Sequence, residues 1–166
     1  MNFTLRAWNM DDLDNLIKFG GNPQVAKTMM DRFPHPYTVE KGKEFIEAAA
    51  AGNPTTIFAI VVNGQAIGSI GIHPQTDIQR KNAELGYWIG EPYWGKGIVS
   101  KAVAQMIDYS FKTLDITRIF ARAFGNNPGS QKVLQKNGFV LEAHFEKTFF
   151  KNGEFIDELV YAVRKK

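Results

Sequence analysis

The sequence predicts an α/β (α+β) fold: one mixed, mostly antiparallel sheet of about seven strands with helices on both faces. Three observations lead there. Runs rich in β-branched and aromatic residues recur along the chain. Two are joined through Asn63-Gly64 and two over Lys151-Asn152-Gly153, and Asn-Gly between such runs is the strongest short-range hairpin signal. Between them lie stretches with apolar residues at helical spacing, such as Val99, Ala102, Val103, Met106 and Ile107. At 166 residues, with no linker, repeat or low-complexity segment, the chain reads as one domain, 1–166.

Each element follows from local pattern. Phe3 to Trp8 alternates and reads as a first strand. Met10-Asp11-Asp12 opens a helix carried by Leu13, Leu16 and Ile17 and stopped at Gly20-Gly21. A shorter helical stretch runs from about Pro23 to Met30, and the two prolines in Phe33-Pro34-His35-Pro36-Tyr37 stiffen a loop. Thr38 caps a helix reaching about Ala50. Thr56–Val62, Ala66–Ile72 and Asn82–Ile89 are strands, and a helix follows from about Ile98 to Lys112. Arg118–Ala123 is a strand, Pro128–Asn137 a helix closed by Gly138, and Phe139–Phe150 with Glu154–Val163 a closing hairpin.

Composition removes several classes of function. There is no cysteine, so disulfides, thiolate metal sites and acyl-cysteine intermediates are excluded. His35, His73 and His144 are scattered without metal-ligand spacing, and no metal is expected. The net charge of +3 is dispersed apart from Arg164-Lys165-Lys166 at the C-terminus, which reads as a solvated tail rather than a nucleic-acid patch. No apolar run approaches the ~20 residues that cross a bilayer, so no membrane partner is expected. The first residues, Met1 to Arg6, lack a basic start leading into an apolar block, and a cytoplasmic location is the default expectation.

The most informative stretch is Tyr87 to Lys101, YWIGEPYWGKGIVSK. A strand breaks at Gly90-Glu91-Pro92, two glycines bracket Lys96, and a helix begins. Glycines let backbone approach an anion, and the free N–H groups and dipole of a helix start favour negative charge. Two familiar phosphate motifs fail. Gly90-(x)4-Gly95-Lys96 has P-loop spacing, but Gly97 stands where Ser or Thr must reach Mg²⁺. As a dinucleotide fingerprint, Gly95-x-Gly97 lacks its third glycine and lies mid-chain.

From Asn82 to Ala102 the chain resembles the acetyl-CoA motif of the GCN5-related N-acetyltransferase (GNAT) superfamily, and AELGYWIGEPYWGKGIVSKAV resembles its RimJ/RimL-type ribosomal-protein N-terminal acetyltransferase branch. Asn127-Pro128-Gly129-Ser130 and Lys136-Asn137-Gly138-Phe139 resemble the family's Asn-x-x-Ser helix and its end. Asn152 to Asp157 resembles its final hairpin, with Tyr161 on the last strand. Two positions depart from the superfamily pattern: Trp94 replaces the usual Arg or Gln, as is common in the resembled branch, and Val99 replaces the small residue expected two positions after Gly97. The resemblance implies acetyl-CoA as co-substrate, entering where the strands around the loop helix splay apart. It also implies an amine acceptor, a peptide N-terminus or a small molecule, and a homodimer. The implied cofactor-binding residues are Trp88, Ile89, Trp94, Gly95, Lys96, Gly97, Ile98, Val99, Ser100, Asn127 and Ser130.

Amide formation from a thioester needs a neutral amine, a polarised carbonyl and a proton for the thiolate. An α-amine, with pKa about 8, needs less help from a base than a lysine near 10.4. Backbone N–H groups at the end of the Leu85–Ile89 strand are candidates for the carbonyl oxygen. Glu84, sharing a strand face with Gly86 and Trp88, is a candidate base by resemblance, or an ordinary strand-end glutamate. Ser130 is a candidate acid by the same resemblance, or a first-turn helix serine. Many superfamily members carry a tyrosine acid later in this helix, where Leu134 stands here. Asn127 can pair with pantetheine amides or cap its helix, and Lys96 can face phosphate or solvent. Asp157 and Glu154 are candidates for attracting a cationic amine, and His35 and Tyr37 for lining the acceptor cleft.

Overall fold

The computed structural model describes all 166 residues. Seven strands form one sheet in the order β1-β2-β3-β4-β5-β7-β6. They are β1 (Thr4–Ala7), β2 (Ile57–Val62), β3 (Gln65–Pro74), β4 (Asn82–Ile89), β5 (Arg118–Phe124), β6 (Val140–Lys151) and β7 (Glu154–Arg164). The helices are α1 (Leu13–Gly20), α2 (Pro23–Ala26), α3 (Val39–Ala50), α4 (Ile98–Thr113) and α5 (Pro128–Lys136). Most neighbours pair antiparallel; β4 and β5 are parallel, in register from Asn82↔Arg118 to Glu84↔Phe120. The predicted mixed sheet is therefore present. The helical stretch expected to Met30 is shorter: α2 ends at Ala26 and the chain continues in turns. Met10–Asp12 is a 3₁₀ turn leading into α1.

Within that sheet the chain divides into two compact units, Met1–Gly71 with Tyr87–Ala102, and Ile72–Gly86 with Val103–Lys166. In the first, Trp8, Leu16, Val25, Ile46, Ile60, Ile67 and Ile70 are buried. The Trp8 ring meets Phe45 edge-on at 5.4 Å. Helices α1 and α3 come close at Gly42, where an added Cβ would lie 2.7 Å from Leu13 Cδ1. The entry to α1 is fixed electrostatically. Arg6 donates to both oxygens of buried Asp12 at 2.7 Å, and the Asn9 N–H donates to the same carboxylate at 3.1 Å. Burial raises the Asp12 pKa, but the hydrogen bonds from Arg6 and Asn9 and the guanidinium charge outweigh it, holding the group below the usual carboxylate range. Asn63-Gly64 makes the expected hairpin turn with both residues at positive φ (49° and 78°).

The second unit is organised by β7, which pairs with β5 on one side and β6 on the other. Gly138, at φ 80°, closes α5: its N–H donates to Gln135 O and the Phe139 N–H to Leu134 O, so two carbonyls of the last turn are satisfied by the chain that follows. Asn152 and Gly153 turn the final hairpin at φ 50° and 80°. That hairpin is interrupted. Phe149 opposes Ile156, yet Phe145 opposes Glu158, and Lys147 in between takes φ 52°.

Candidate active site

In the first unit the segment after β4 forms a glycine cradle at a helix start. Gly95 (φ 72°) and Gly97 (φ 74°) occupy the left-handed region, while open space surrounds the position of a Cβ at each. The glycines serve the conformation of the turn rather than close packing inside the protein. Trp94 to Gly97 is exposed and Ile98, the first residue of α4, is buried, so the helix is anchored while its leading N–H groups meet solvent. Val99 and Ser100 are half-buried. The Lys96 ammonium lies 5.6 Å from the Tyr93 ring centroid, a cation–π position at the cradle's edge.

The strand entering this turn is held from below. A Cβ on Gly68 would collide with the Trp88 carbonyl, and one on Gly90 would lie 2.6 Å from Phe19 Cδ1. Glu91 accepts a 2.6 Å bond from Asn22, and Tyr93 meets Phe19 edge-on at 5.7 Å. Trp88 is buried, with Phe33 edge-on at 5.8 Å, so its side chain packs the core and only its backbone borders the site. Tyr37, expected on the acceptor loop, is also buried against Gly20 and Phe33, and desolvation pushes its hydroxyl up to about 12.

Ile89 presents its backbone to the opposite edge. The Gly90 N–H donates to Ile67 O on β3 at 2.8 Å, so strand alternation turns the Ile89 N–H and C=O away from β3. The Trp94 indole Nε1 donates to that Ile89 carbonyl at 2.8 Å, as this geometry requires. Trp94 thus places an N–H donor at the position where the superfamily pattern has Arg or Gln. The Ile89 N–H points along the same edge, where it can meet a carbonyl oxygen gaining charge.

The second unit carries the remaining candidates. Glu84, 16% exposed, is gripped by Arg122 from β5 through contacts of 3.2, 3.2 and 2.9 Å. It is therefore a fixed, paired carboxylate and not a solvated strand end; its partner is two strands' pairing away from anything local sequence reveals. Asn127 caps α5, its Oδ1 accepting from the Ser130 N–H at 3.2 Å, with Pro128 at the first helical position. Ser130 is half-buried and Leu134 is fully buried, so no side-chain proton donor occupies the later position. Asp157 is paired too: His144 Nε2 lies 2.8 Å from Oδ2, and the Lys147 N–H donates to Oδ1 at 2.9 Å. The hydrogen bond from His144, then that from Lys147, holds the Asp157 carboxyl below its usual range. The sequence points to neither pairing, Arg122 with Glu84 or His144 with Asp157.

No group of three or more His, Asp or Glu side chains is placed to hold a metal, and no helix is long and apolar enough to cross a membrane.

Comparison with known proteins bears on what this arrangement is. The "Uncharacterized N-acetyltransferase p20" of Bacillus licheniformis is 30% identical over 169 residues, spanning 98% of this chain and 93% of its own. The spermidine N(1)-acetyltransferase of Vibrio cholerae is 27% identical over 157 residues, covering 93% of this chain and 88% of its own. Among solved structures, RimL, a ribosomal L7/L12 α-N-protein acetyltransferase in complex with coenzyme A, superposes with a TM-score of 0.86 at 20% identity, over 99% of this chain and 94% of that one. Protein and polyamine acetyltransferases both appear, so kinship leaves the acceptor open. A family profile described as "Acetyltransferase (GNAT) domain" matches residues 2–140, and the chain is therefore an acetyltransferase of the GNAT family.

Proposed function

We propose that this enzyme transfers the acetyl group of acetyl-CoA to the N-terminal α-amine of a protein, by direct attack and without an acyl-enzyme. The observation that carries the cofactor half is the exposed Gly95–Gly97 turn, two left-handed glycines leading into α4. Its N–H groups and the helix dipole suit a pyrophosphate, with Lys96 at the edge and Trp94, Ile98, Val99 and Ser100 fixing the turn. Asn127 offers its amide to the pantetheine. RimL and the Vibrio cholerae spermidine N-acetyltransferase, whose folds this chain shares, have been solved with coenzyme A. The Ile89 N–H stabilises the thioester oxygen as it gains charge, and Glu84, held in place by Arg122, takes the amine proton through water.

Charge supports the choice of acceptor. A polyamine site needs carboxylates free to meet several ammonium groups. Here Glu84 is paired with Arg122, Glu142 with Arg118 and Arg164, and Asp157 with His144. An α-amine carries a single positive charge and loses it near pH 8, so it makes the least demand for such carboxylates. The test is release of free CoA thiol from acetyl-CoA with short peptides differing in their first residues, free lysine, polyamines and aminoglycosides. Peptide-dependent release is expected. Release with spermidine and none with peptides would reassign the acceptor, and failure to bind acetyl-CoA would undo the reading.

A further inference from the structure

Strands β4 and β5 pair only from Asn82↔Arg118 to Glu84↔Phe120. Arg122 lies further along β5, past the last pair, on the sheet face that Phe120 and Glu84 share, and its guanidinium reaches back to Glu84. We propose that Arg122 determines acceptor specificity: its remaining nitrogen, Nη1, donates to the first carbonyl of the acceptor chain while the amine stands at Glu84. This is how the site tells a peptide α-amine from an amine with no neighbouring carbonyl, and it rests on the peptide-acceptor reading above.

Donor accounting carries the argument. A guanidinium has five N–H groups, one on Nε and two on each Nη. Arg122 spends Nε on Glu84 at 3.2 Å and Nη2 on the same carboxylate at 3.2 and 2.9 Å, and Nη1 has no acceptor in the protein. Arg118, on the same strand face, is the contrast: Nε and Nη2 go to Glu142, and Nη1 goes to Asn82 Oδ1 at 3.0 Å. Arg118 is also the more enclosed, with its side chain 23% exposed against 36% for Arg122. The neighbours of Arg122 across the sheet offer Nη1 nothing, because Val160 of β7 stands opposite it and Ala143 of β6 opposite Val160. Glu158, opposite Phe124, accepts no hydrogen bond from it.

Glu84 fixes where that nitrogen points. A carboxylate clamped on Nε and Nη2 holds the plane of the guanidinium, so Nη1 is presented without the rotamer entropy that a loose arginine would lose on binding. The pair sets a proton acceptor beside a hydrogen-bond donor. The end of a peptide carries the complement: an amine that gives up a proton and a carbonyl oxygen three bonds away, roughly 3 Å off. Spermidine and a lysine side chain have methylene groups where that carbonyl would be. Either one leaves Nη1 shielded from water without a partner, which costs binding.

The test uses the full chain and two acceptors of one shape. One is a short peptide; the other is the same peptide with an (E)-alkene in place of its first peptide bond, which removes the carbonyl. CoA-thiol release is compared per unprotonated amine. A hydrogen bond from a charged donor predicts a kcat/KM about 10- to 100-fold higher for the peptide in the unmodified enzyme. Arg122→Lys keeps a cation beside Glu84 but loses the second arm of the fork, so it should bring the two acceptors within about threefold of each other by lowering the rate with the peptide. Its thermal melt and its Kd for acetyl-CoA should stay as in the unmodified protein. Equal losses on both acceptors in Arg122→Lys would overturn the proposal, because they mark Arg122 as acting on Glu84 alone. So would an unmodified enzyme that uses the alkene as well as the peptide; both outcomes leave the acetyltransferase reading standing. An unmodified protein that binds acetyl-CoA yet acetylates no peptide refutes the acceptor reading, and this inference with it, before any substitution is made.

Discussion

Gly97→Asp separates cofactor binding from folding. Gly97 has φ 74°, a region that Asp and Asn tolerate better than other side chains, and a Cβ there meets nothing within 4 Å. The left-handed backbone costs about 1 kcal/mol. Against this, a carboxylate beside the start of α4 gains about 0.3–1 kcal/mol from the helix dipole, so stability should change by less than about 1 kcal/mol. Binding should respond quite differently. A unit negative charge about 4 Å from a phosphate costs between about 1 kcal/mol in bulk water and about 4 kcal/mol at the effective dielectric of a protein surface. That corresponds to a loss of affinity between about 5- and 1000-fold, while Gly97→Asn carries nearly the same bulk without the charge. Calorimetric titration with acetyl-CoA and a thermal melt of each variant provide the assay. A folded Asp variant that binds as tightly as the Asn variant would refute the placement of the pyrophosphate at α4.

Three further outcomes are expected. Trp94→Phe removes the indole donor from the Ile89 carbonyl, a neutral hydrogen bond with a net value of about 1 kcal/mol, and should weaken acetyl-CoA binding several-fold by titration. Asp12→Asn should destabilise the fold by about 1–3 kcal/mol, lowering Tm by roughly 3–10 °C. Because the folded Asp12 pKa is depressed, its contribution is present above the unfolded value near about 3.9 and lost as pH falls through the folded one; the variant's Tm should vary less with pH in that acid window. Arg122→Met leaves the Glu84 carboxylate unpaired, so the ratio of kcat/KM for spermidine to that for a peptide should rise at least fivefold, as the steady-state rates would show.

The fold was legible because its signals are local. Asn63-Gly64 and Asn152-Gly153 adopt the left-handed turns their residue types favour, and Gly138 closes α5 where the sequence places a helix stop. The glycine turn before α4 was legible for the same reason: two glycines at fixed offsets before an apolar-faced helix. What stayed hidden depends on register. Counting back from the Asn152-Gly153 turn without interruption would set Thr148 opposite Asp157 and His144 opposite Tyr161. The bulge around Lys147 moves His144 to face Leu159 instead, diagonal to Asp157. No residue in β6 announces that shift; Lys147 is not a residue that favours positive φ. The Glu84–Arg122 pair is hidden likewise, since it needs the parallel pairing of β4 with β5 to join residues 38 positions apart.

The two departures from the family pattern that bear on chemistry, Trp94 and Leu134, have a common physical form. Each replaces a polar side chain of the pattern, and in each case a hydrogen-bond donor stands at or near the same place. At the glycine turn the Trp94 indole donates to the Ile89 carbonyl at 2.8 Å from a rigid, partly exposed ring. On α5 Leu134 completes the core beneath the helix, and the side-chain hydroxyl that the helix keeps is that of Ser130 in its first turn, where Asn127 Oδ1 accepts from the Ser130 N–H at 3.2 Å. A proton donor there would act from the start of the helix rather than from its middle, at the same turn that carries Asn127.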